Sequence, residues 1–248
     1  MKLEQVDIET TSYCNRKCPY CPNSVYTRPA ELMEDSIFHR IIDSLSEINF
    51  DGIISPHLFG EPLSDKRIVS FVSYIKIKLP RSFVKLYTNG DYLTKQIYLD
   101  LRNAGLDFLV ISKHSKATPK IVTTTMKYIE QNRADDFRTI LVIDYYKEYY
   151  NKSQSKIFNN RGGSLDISNV MTHDEDNCNL VNQLTFDYVG DAILCCNDYF
   201  SSVKFGNINL KSISEIWNNP EYVKLRNDIM RKRYNLEICK RCKGILGS

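Results

Sequence analysis

Three cysteines near the start of the chain have a spacing that suits an iron–sulfur cluster. Cys14, Cys18 and Cys21 form the pattern C-x3-C-x2-C, shortly after a segment that predicts a strand. Three thiolates can bind three irons of a [4Fe-4S] cube, which leaves the fourth iron open for another ligand. Tyr20, directly before the third cysteine, adds a flat apolar wall. The alternative is a zinc knuckle or three unrelated core thiols, but zinc sites usually pair cysteines as C-x2-C.

A second set of cysteines lies in the C-terminal quarter of the chain. Cys178 and Cys195 flank a predicted turn at Gly190-Asp191, and Cys239 and Cys242 follow as C-x2-C. In a reducing compartment such cysteines are better interpreted as metal ligands than as disulfides. A structural zinc site with four cysteine ligands fits this spacing.

Strands and helices alternate in the segments that must position these residues. The patterns predict strands at 6–9, 52–59, 83–88, 108–112 and 139–144, and helices at 35–48, 68–79, 94–104 and from 118 onward. This order requires a parallel sheet with helical crossovers, which can close partly into a barrel. We predict an α/β fold: a partial parallel TIM-type barrel of about five strands and four helices at 1–150, a connecting segment at 151–177, and a small domain of a hairpin and helices at 178–248.

Polar residues follow three of the predicted strands. They are Gly60-Glu61-Pro62, Thr88-Asn89, and Ser112 with His114. In barrels of parallel strands the chemistry collects at the carboxyl ends of the strands. Each group alone is more often a turn than a ligand site, but together with the cysteine loop they predict one site at this end of the barrel.

The overall composition is that of an ordinary globular protein. The 248 residues are 42% hydrophobic and 25% charged, and the formal net charge is +3. No charge pattern indicates a nucleic-acid partner, and no apolar run is long enough for a signal peptide or a membrane span. We therefore expect a cytoplasmic protein that binds neither nucleic acid nor a membrane.

The cysteine motif and the strand-end groups together resemble the radical S-adenosylmethionine (SAM) superfamily. The resemblance implies SAM as cofactor at the [4Fe-4S] cluster of Cys14, Cys18 and Cys21. It implies that Gly60-Glu61-Pro62 receives the amino group of SAM and that Thr88 and Asn89 contact its ribose. The SAM site implied is completed by Tyr20, Ser112 and His114.

The C-terminal cysteines resemble the Twitch domain, a shortened relative of the SPASM domain. This resemblance implies that Cys178, Cys195, Cys239 and Cys242 fully ligate an auxiliary [4Fe-4S] cluster, which can pass electrons but cannot hold a substrate. It also implies an electron donor such as flavodoxin or ferredoxin.

Within the superfamily the chain is most similar to the 2-deoxy-scyllo-inosamine dehydrogenase family of natural-product biosynthesis, which oxidises a secondary alcohol of a cyclitol to a ketone. The segments that carry this similarity are Tyr20 to Val25, Phe59 to Leu63, Tyr87 to Asp91 and Asn160 to Gly163. It implies a small polar substrate, with Tyr87 and Arg161 in its pocket. Arginine is a poor base, so hydrogen bonding to the substrate oxygen is the role expected of Arg161.

Two departures from that family concern the substrate pocket. Phe59 replaces a tyrosine, and Cys196 and Asn197 replace an aromatic residue and a glutamate, whereas Asp198 is retained. Because hydrogen-bonding groups decide discrimination, a different substrate is expected. Cys196 also suggests the alternative of an epimerase that uses this thiol as hydrogen-atom donor on a sugar or peptide. Maturation of a short peptide, or a non-catalytic iron–sulfur or zinc scaffold, are further alternatives.

Overall fold

The structure, a computed structural model, describes residues 1–150, 158–166 and 178–245. In these residues eight strands form one continuous sheet. The strands are β1 (Gln5–Ile8), β2 (Ile53–Ser55), β3 (Phe83–Thr88), β4 (Phe108–Lys113), β5 (Ile140–Asp144), β6 (Gln183–Phe186), β7 (Asp191–Ile193) and β8 (Lys204–Asn207).

The same residues contain eight α-helices and several short 3-10 turns. The helices are α1 (Asp35–Glu47), α2 (Ile68–Lys78), α3 (Lys95–Asn103), α4 (Lys120–Asn132), α5 (Tyr145–Tyr150), α6 (Ile213–Trp217), α7 (Pro220–Met230) and α8 (Glu237–Cys242). None of the helices in the described ranges has the length and apolar composition needed to cross a bilayer.

The sheet order is β5-β4-β3-β2-β1-β6-β7-β8, and the first six strands in this order pair in parallel. Helical crossovers between β1 and β5 produce this parallel half, whereas β6, β7 and β8 pair antiparallel. The core lies between helices and sheet, where Phe38 of α1 and Phe71 of α2 stack at 4.0 Å. The predicted α/β fold with a partial parallel barrel is confirmed.

Several predicted boundaries are wrong. The second strand ends at Ser55 and not at Phe59, because Pro56 has no N–H to continue the ladder and the backbone turns with a bond from the His57 amide to the Ser55 carbonyl. Pro119 and not Thr118 precedes α4, and no side chain caps that helix. Thr94, the first residue of the predicted third helix, caps α3, since its hydroxyl accepts from the Ile97 amide at 3.1 Å.

The C-terminal part of the chain does not form a separate sheet. Strand β6 pairs in parallel with β1, with Val6 opposite Leu184 and Asp7 opposite Thr185. The hairpin of β6 and β7 therefore extends the barrel sheet beyond its first strand. Most of the predicted connecting segment at 151–177 lies outside the described residues, and the predicted domain boundaries stay predictions.

The inner face of the sheet carries a row of polar side chains. Asp7 lies opposite Ser55 on one side and Thr185 on the other, and the Ser55 hydroxyl donates to the Lys85 carbonyl at 2.9 Å. Because side chains alternate along a strand, Val6 and Ile8 pack outward against the helices while Asp7 points to the inner face. We call Thr185, Asp7, Ser55 and Lys85 the polar row. Asp7 is the next-to-last residue of β1, and Ser55 is the last residue of β2.

Candidate functional site

The three N-terminal cysteines face one cavity at the carboxyl ends of the parallel strands. Burial raises the pKa of the Cys14 thiol to about 11 and that of Cys18 to about 12, and each also interacts electrostatically with Cys21. The three thiols therefore lie close together, and those of Cys14 and Cys18 carry protons. Binding of iron would displace these protons, as metal binding to thiols does. The donor set fits a cluster held by three cysteines.

Contacts with the end of β3 hold the cysteine loop in place. The Arg16 guanidinium donates to both carboxylate oxygens of Asp91 at 2.6 Å, and the Asn15 side chain donates to the same carboxylate at 2.7 Å. The Asn89 side chain in turn donates to Asn15 at 2.7 Å. The sequence shows Asp91 only as part of a turn, so its role in anchoring the loop was missed.

Gly60 brings a second strand end against this loop. A Cβ atom at this position would lie 2.0 Å from the carbonyl oxygen of Thr11, so only glycine allows the approach. The next amide, that of Glu61, donates to the Tyr13 carbonyl at 2.7 Å. Pro62 then begins a 3-10 turn with its ring buried and outside the cavity lining.

The Glu61 carboxylate is buried and accepts three hydrogen bonds from the protein. The donors are the Leu63 amide at 3.0 Å, the Asn89 amide at 2.8 Å and the Thr88 hydroxyl at 2.6 Å. Burial nevertheless raises the pKa of Glu61 to about 7. A cation entering the cavity would stabilise the charged carboxylate, so this site fits an ammonium group such as that of SAM.

The polar side chains of Thr88 and Asn89 are engaged with the protein. The Thr88 hydroxyl donates to Glu61 and accepts from the Gly90 amide at 3.0 Å. The Asn89 side chain donates to Asn15 and accepts from the Asp91 amide at 2.9 Å. Both residues line the cavity, and in this structure they hold the cysteine loop and Glu61 in position.

An aromatic wall closes one side of the cavity. Tyr20 lies 4.6 Å from Phe158, 5.7 Å from His114 and 6.0 Å from Tyr145, measured between ring centroids. The Tyr20 hydroxyl and His114 Nδ1 are hydrogen-bonded at 2.7 Å. Burial lowers the pKa of His114 to about 4, so its ring is neutral. These flat, uncharged rings suit a planar heteroaromatic group.

Arg161 reaches the cavity from a loop with an unusual backbone. The φ angles of Arg161, Gly162 and Gly163 are 48°, 67° and 86°, all in the left-handed region. The loop packs on α8, because a Cβ on Gly162 would lie 2.4 Å from a side-chain carbon of Ile238. The Arg161 guanidinium donates to the Cys196 carbonyl and the Asn197 side chain, each at 3.4 Å.

The four C-terminal cysteines line a second cavity with mainly apolar walls. Cys178, Cys195, Cys239 and Cys242 surround it together with Leu180, Leu194, Ile238 and other residues. Asn197 contacts two of the sulfurs, since its amide donates to Cys195 at 3.5 Å and its side chain donates to Cys242 at 3.3 Å. Donors to sulfur around a closed apolar site fit an iron–sulfur cluster. Among the described residues, no three histidine, cysteine or acidic side chains form a group that could hold a single metal ion.

The first cavity, of about 180 Å³, contains most of the residues predicted from the sequence. Those in its lining are Cys14, Cys18, Cys21, Tyr20, Phe59, Gly60, Glu61, Tyr87, Thr88, Asn89, Ser112, His114 and Arg161. The lining also includes residues that the sequence did not single out, namely Arg16, His57, Leu58, Tyr145, Phe158 and Asn159. His57 follows the second strand closely, but the predicted strand ran to Phe59 and concealed this strand-end position.

Three residues predicted to be catalytic or to bind substrate do not line this cavity. Asn197 lies between Arg161 and the C-terminal sulfurs. The buried Asp198 carboxylate accepts from the Ser202 amide, the Ser202 hydroxyl and the Val203 amide at 2.7 to 3.0 Å, which fixes a turn. Burial raises the pKa of the Cys196 thiol to about 11, so the group is uncharged.

Comparison with known proteins follows the same division of the chain. A model of the radical SAM superfamily matches residues 8–153, and a model of the SPASM iron-sulfur cluster-binding domain matches residues 178–243. The S-adenosyl-L-methionine-dependent 2-deoxy-scyllo-inosamine dehydrogenase of Niallia circulans is 29% identical over 246 residues, which cover 98% of this chain and 94% of that enzyme.

Solved structures share the fold. The crystal structure of BtrN in complex with AdoMet and 2-DOIA superposes with a TM-score of 0.84 at 28% identity, covering 98% of this chain and 94% of BtrN. The structure of anSMEcpe with bound AdoMet has a TM-score of 0.59 at 12% identity, covering 98% and 85% of the two chains. The second similarity concerns the fold alone.

Proposed function

Because the chain belongs to the radical SAM superfamily, we propose that it oxidises a secondary alcohol of a small cyclitol or sugar to a ketone. The observation that carries the proposal is the position of Arg161. Its side chain lines the cavity of the three cysteines and also contacts Asn197, which donates to a sulfur of the second set. A substrate bound there would lie between the two metal sites.

The residues that would hold the cofactors are those of the first cavity and of the C-terminal set. Cys14, Cys18 and Cys21 would bind the first [4Fe-4S] cluster, and Glu61 would bind the amino group of SAM. Together, cluster and SAM supply a radical that removes a hydrogen atom from an unactivated C–H bond. The aromatic wall would receive the adenine ring, since stacking favours flat rings.

The protein's own contribution is to position the alcohol and exclude water. Arg161 presents N–H donors to the cavity and is permanently charged, so it can hold the substrate oxygen but not accept a proton. Phe59 forms an apolar wall and is itself buried against Tyr199, with the rings 5.1 Å apart. Removing the carbinol hydrogen atom leaves a carbon radical that must lose an electron and a proton to become a ketone. The second set of thiols is placed to hold an electron acceptor.

Epimerisation is less well supported by the geometry. A thiol that returns a hydrogen atom must reach the reacting carbon. In the described part of the chain, Cys196 is not among the residues that line the first cavity, and the contact with Arg161 is made by its carbonyl. We therefore place oxidation before epimerisation.

The test uses the protein with both clusters, SAM and a chemical reductant, without oxygen. The alcohols offered are 2-deoxy-scyllo-inosamine, the compound in the name of the Niallia circulans relative, and a panel of neutral cyclitols and sugars. We expect 5′-deoxyadenosine and a product two mass units lighter. In heavy water its reacting carbon gains no deuterium.

Other results would contradict the proposal. An isobaric product that gains one deuteron, lost in Cys196→Ala, identifies an epimerase. A protein that does not cleave SAM identifies a non-catalytic scaffold. Flavodoxin or ferredoxin as electron donor and a cytoplasmic location stay predictions from the sequence.

A further inference from the structure

His57 lies in the first cavity with a defined tautomer. Its Nδ1 atom and the Ser55 hydroxyl oxygen are 2.9 Å apart, and the same hydroxyl donates to the Lys85 carbonyl at 2.9 Å. A carbonyl oxygen can only accept, so the single hydroxyl proton of Ser55 is used in that bond. Both contacts are hydrogen bonds only if Nδ1 carries the imidazole proton and donates to Ser55. The Nε2 atom is then an unprotonated acceptor.

Within the part of the chain that the structure describes, the Nε2 atom has no protein partner. Among the described residues, the contact with Ser55 is the one side-chain hydrogen bond of His57, and His57 lines the cavity. Tyr87 holds the plane of the ring, since the two rings stack at 4.6 Å with an angle of 27°. A free acceptor atom in a fixed orientation is therefore available to a ligand in the cavity.

The surroundings keep this histidine neutral. Burial lowers its pKa to about 3, and the nearby cations Lys85 and Arg161 add to the effect. Arg161 also lines the cavity, so an N–H donor and a lone-pair acceptor face the same space. A hydroxyl group is the ligand that uses both, because its oxygen accepts from Arg161 while its proton is donated to His57.

We propose that His57 is a catalytic residue that accepts the hydroxyl proton of the alcohol through Nε2. This inference rests on the proposed function. The C–H bond breaks homolytically, and its hydrogen atom goes to the 5′-deoxyadenosyl radical. The O–H proton passes to His57, the remaining electron passes to an oxidised iron–sulfur cluster at the C-terminal thiols, and the C=O double bond forms.

A weak base is sufficient for this step. Loss of the electron converts the hydroxyl group of the radical into that of a protonated ketone, which is far more acidic than an imidazolium ion. A histidine with a low pKa has two advantages here: it starts neutral at any working pH, and it releases the proton to solvent easily. Arg161 remains charged throughout and holds the oxygen.

The test compares the complete enzyme with four variants. His57→Asn removes the acceptor at Nε2 but keeps an amide near Nδ1. His57→Gln keeps a neutral hydrogen-bonding group near Nε2 that cannot take a proton. Ser55→Ala removes the partner that fixes the tautomer. His39→Asn is the matched control. His39 lies on α1 outside the first cavity, and its ring packs on that of Tyr74 with the centroids 4.2 Å apart.

Two readouts are needed. The first is the rate of ketone formation from 2-deoxy-scyllo-inosamine, or from the panel alcohol that the wild type oxidises, together with the yield of 5′-deoxyadenosine. We expect both His57 variants to form ketone about 100-fold more slowly and still to cleave SAM, and His39→Asn to match the wild type. The second is the ¹⁵N NMR spectrum of labelled histidine in the oxidised holoenzyme, with His57 assigned by its loss in His57→Asn.

The NMR spectrum should show His57 protonated at Nδ1 and unprotonated at Nε2 across neutral pH, with a mixture of tautomers in Ser55→Ala. A proton on Nε2 in the wild type overturns the inference. So does wild-type ketone formation by His57→Asn. If the wild type cleaves SAM but oxidises no alcohol, the proposed function fails and the inference fails with it. A proton on Nε2, or full activity of His57→Asn, would instead overturn the inference and leave the proposed function standing.

Discussion

The ion pair of Glu9 and Arg28 offers a quantitative test of how the cysteine loop is held. Arg28 follows the loop, and its guanidinium donates to both oxygens of the Glu9 carboxylate at 2.7 and 2.8 Å. The exposed fraction of the side chain is 0% for Glu9 and 12% for Arg28. The guanidinium also lies 5.0 to 5.2 Å from the ring centroids of Tyr199 and Phe59, which connects the pair to the cavity wall.

We expect Arg28→Met to lower the free energy of unfolding by about 3–5 kcal/mol. Removing one partner of a buried pair leaves an uncompensated charge, and this is the usual size of that loss. Burial already raises the pKa of Glu9 despite the two bonds from Arg28, so losing Arg28 raises it further. The loss should therefore shrink at low pH, where Glu9 is protonated.

A double variant separates the buried charge from the packing. Glu9→Leu with Arg28→Met removes both charges, and the unfolding free energy should return close to that of the wild type, because apolar replacements of a whole buried pair are often neutral. Lys2→Met is the control: its pair with Asp51 is exposed, 71% and 48%, and should be worth about 0–1 kcal/mol.

The assay is anaerobic urea unfolding of the cluster-loaded protein at two pH values, with iron content measured beside it. We expect Arg28→Met to retain less iron, since its segment directly follows Cys21. A loss below about 1 kcal/mol, the range of exposed pairs, would refute the reasoning. A double variant as unstable as the single one would refute it as well, because the cause would then be packing.

Three further changes test other parts of the site. Glu61→Gln should weaken SAM binding roughly 10- to 150-fold, the value of a hydrogen bond to a charged group, measured by equilibrium dialysis; unchanged affinity would remove Glu61 from the SAM site. Gly162→Ala should lower the free energy of unfolding by about 1–2 kcal/mol because of its left-handed backbone alone, and its methyl group would press on Ile238. We expect this variant to form ketone more slowly and to cleave SAM normally. An equal loss of ketone formation and SAM cleavage would contradict this. Burial raises the pKa of Asp7 from 3.8 to about 7, so its contribution to the free energy of unfolding falls by about 4 kcal/mol as the pH rises from 3.8 to 7. In Asp7→Asn the free energy of unfolding, measured with urea at several pH values, should depend less on pH over that range. An unchanged pH dependence would show that Asp7 titrates normally.

The sequence predicted the parts of the fold that depend on local patterns. The strand at Phe83–Thr88 has the predicted bounds, and α1, α2 and α3 end within one residue of prediction. Helical periodicity and the Thr94 cap are local signals, so they can be recognised without the rest of the chain. The clustering of strand-end residues also followed, because parallel strands bring their carboxyl ends to one edge.

The residues that the sequence did not reveal depend on contacts between distant segments. Asp91 looks like a turn residue until Arg16, 75 residues away in the sequence, lies against it. The pairing of β6 with β1 joins residues that are 178 positions apart in the sequence, and neither strand carries a pattern that identifies its partner. His57 stood inside a predicted strand that in fact ends two residues earlier. Its functional orientation depends on the register of Ser55 with the neighbouring strand.

The Arg161 loop connects the two thiol sets in a way that constrains the chemistry. Gly162 and Gly163 can pack on α8 only because they lack side chains, and α8 carries Cys239 and Cys242. Any shift of that helix, as on loss of its cluster, would therefore move the guanidinium in the first cavity. Under the proposed function, the second metal site would act on the substrate twice, as the place that receives an electron and as the support of Arg161. We expect a variant without the second cluster, Cys239→Ala, to lose affinity for the alcohol as well as ketone formation. Retained alcohol affinity, measured by calorimetry with the SAM-bound protein, would limit the second site to electron transfer.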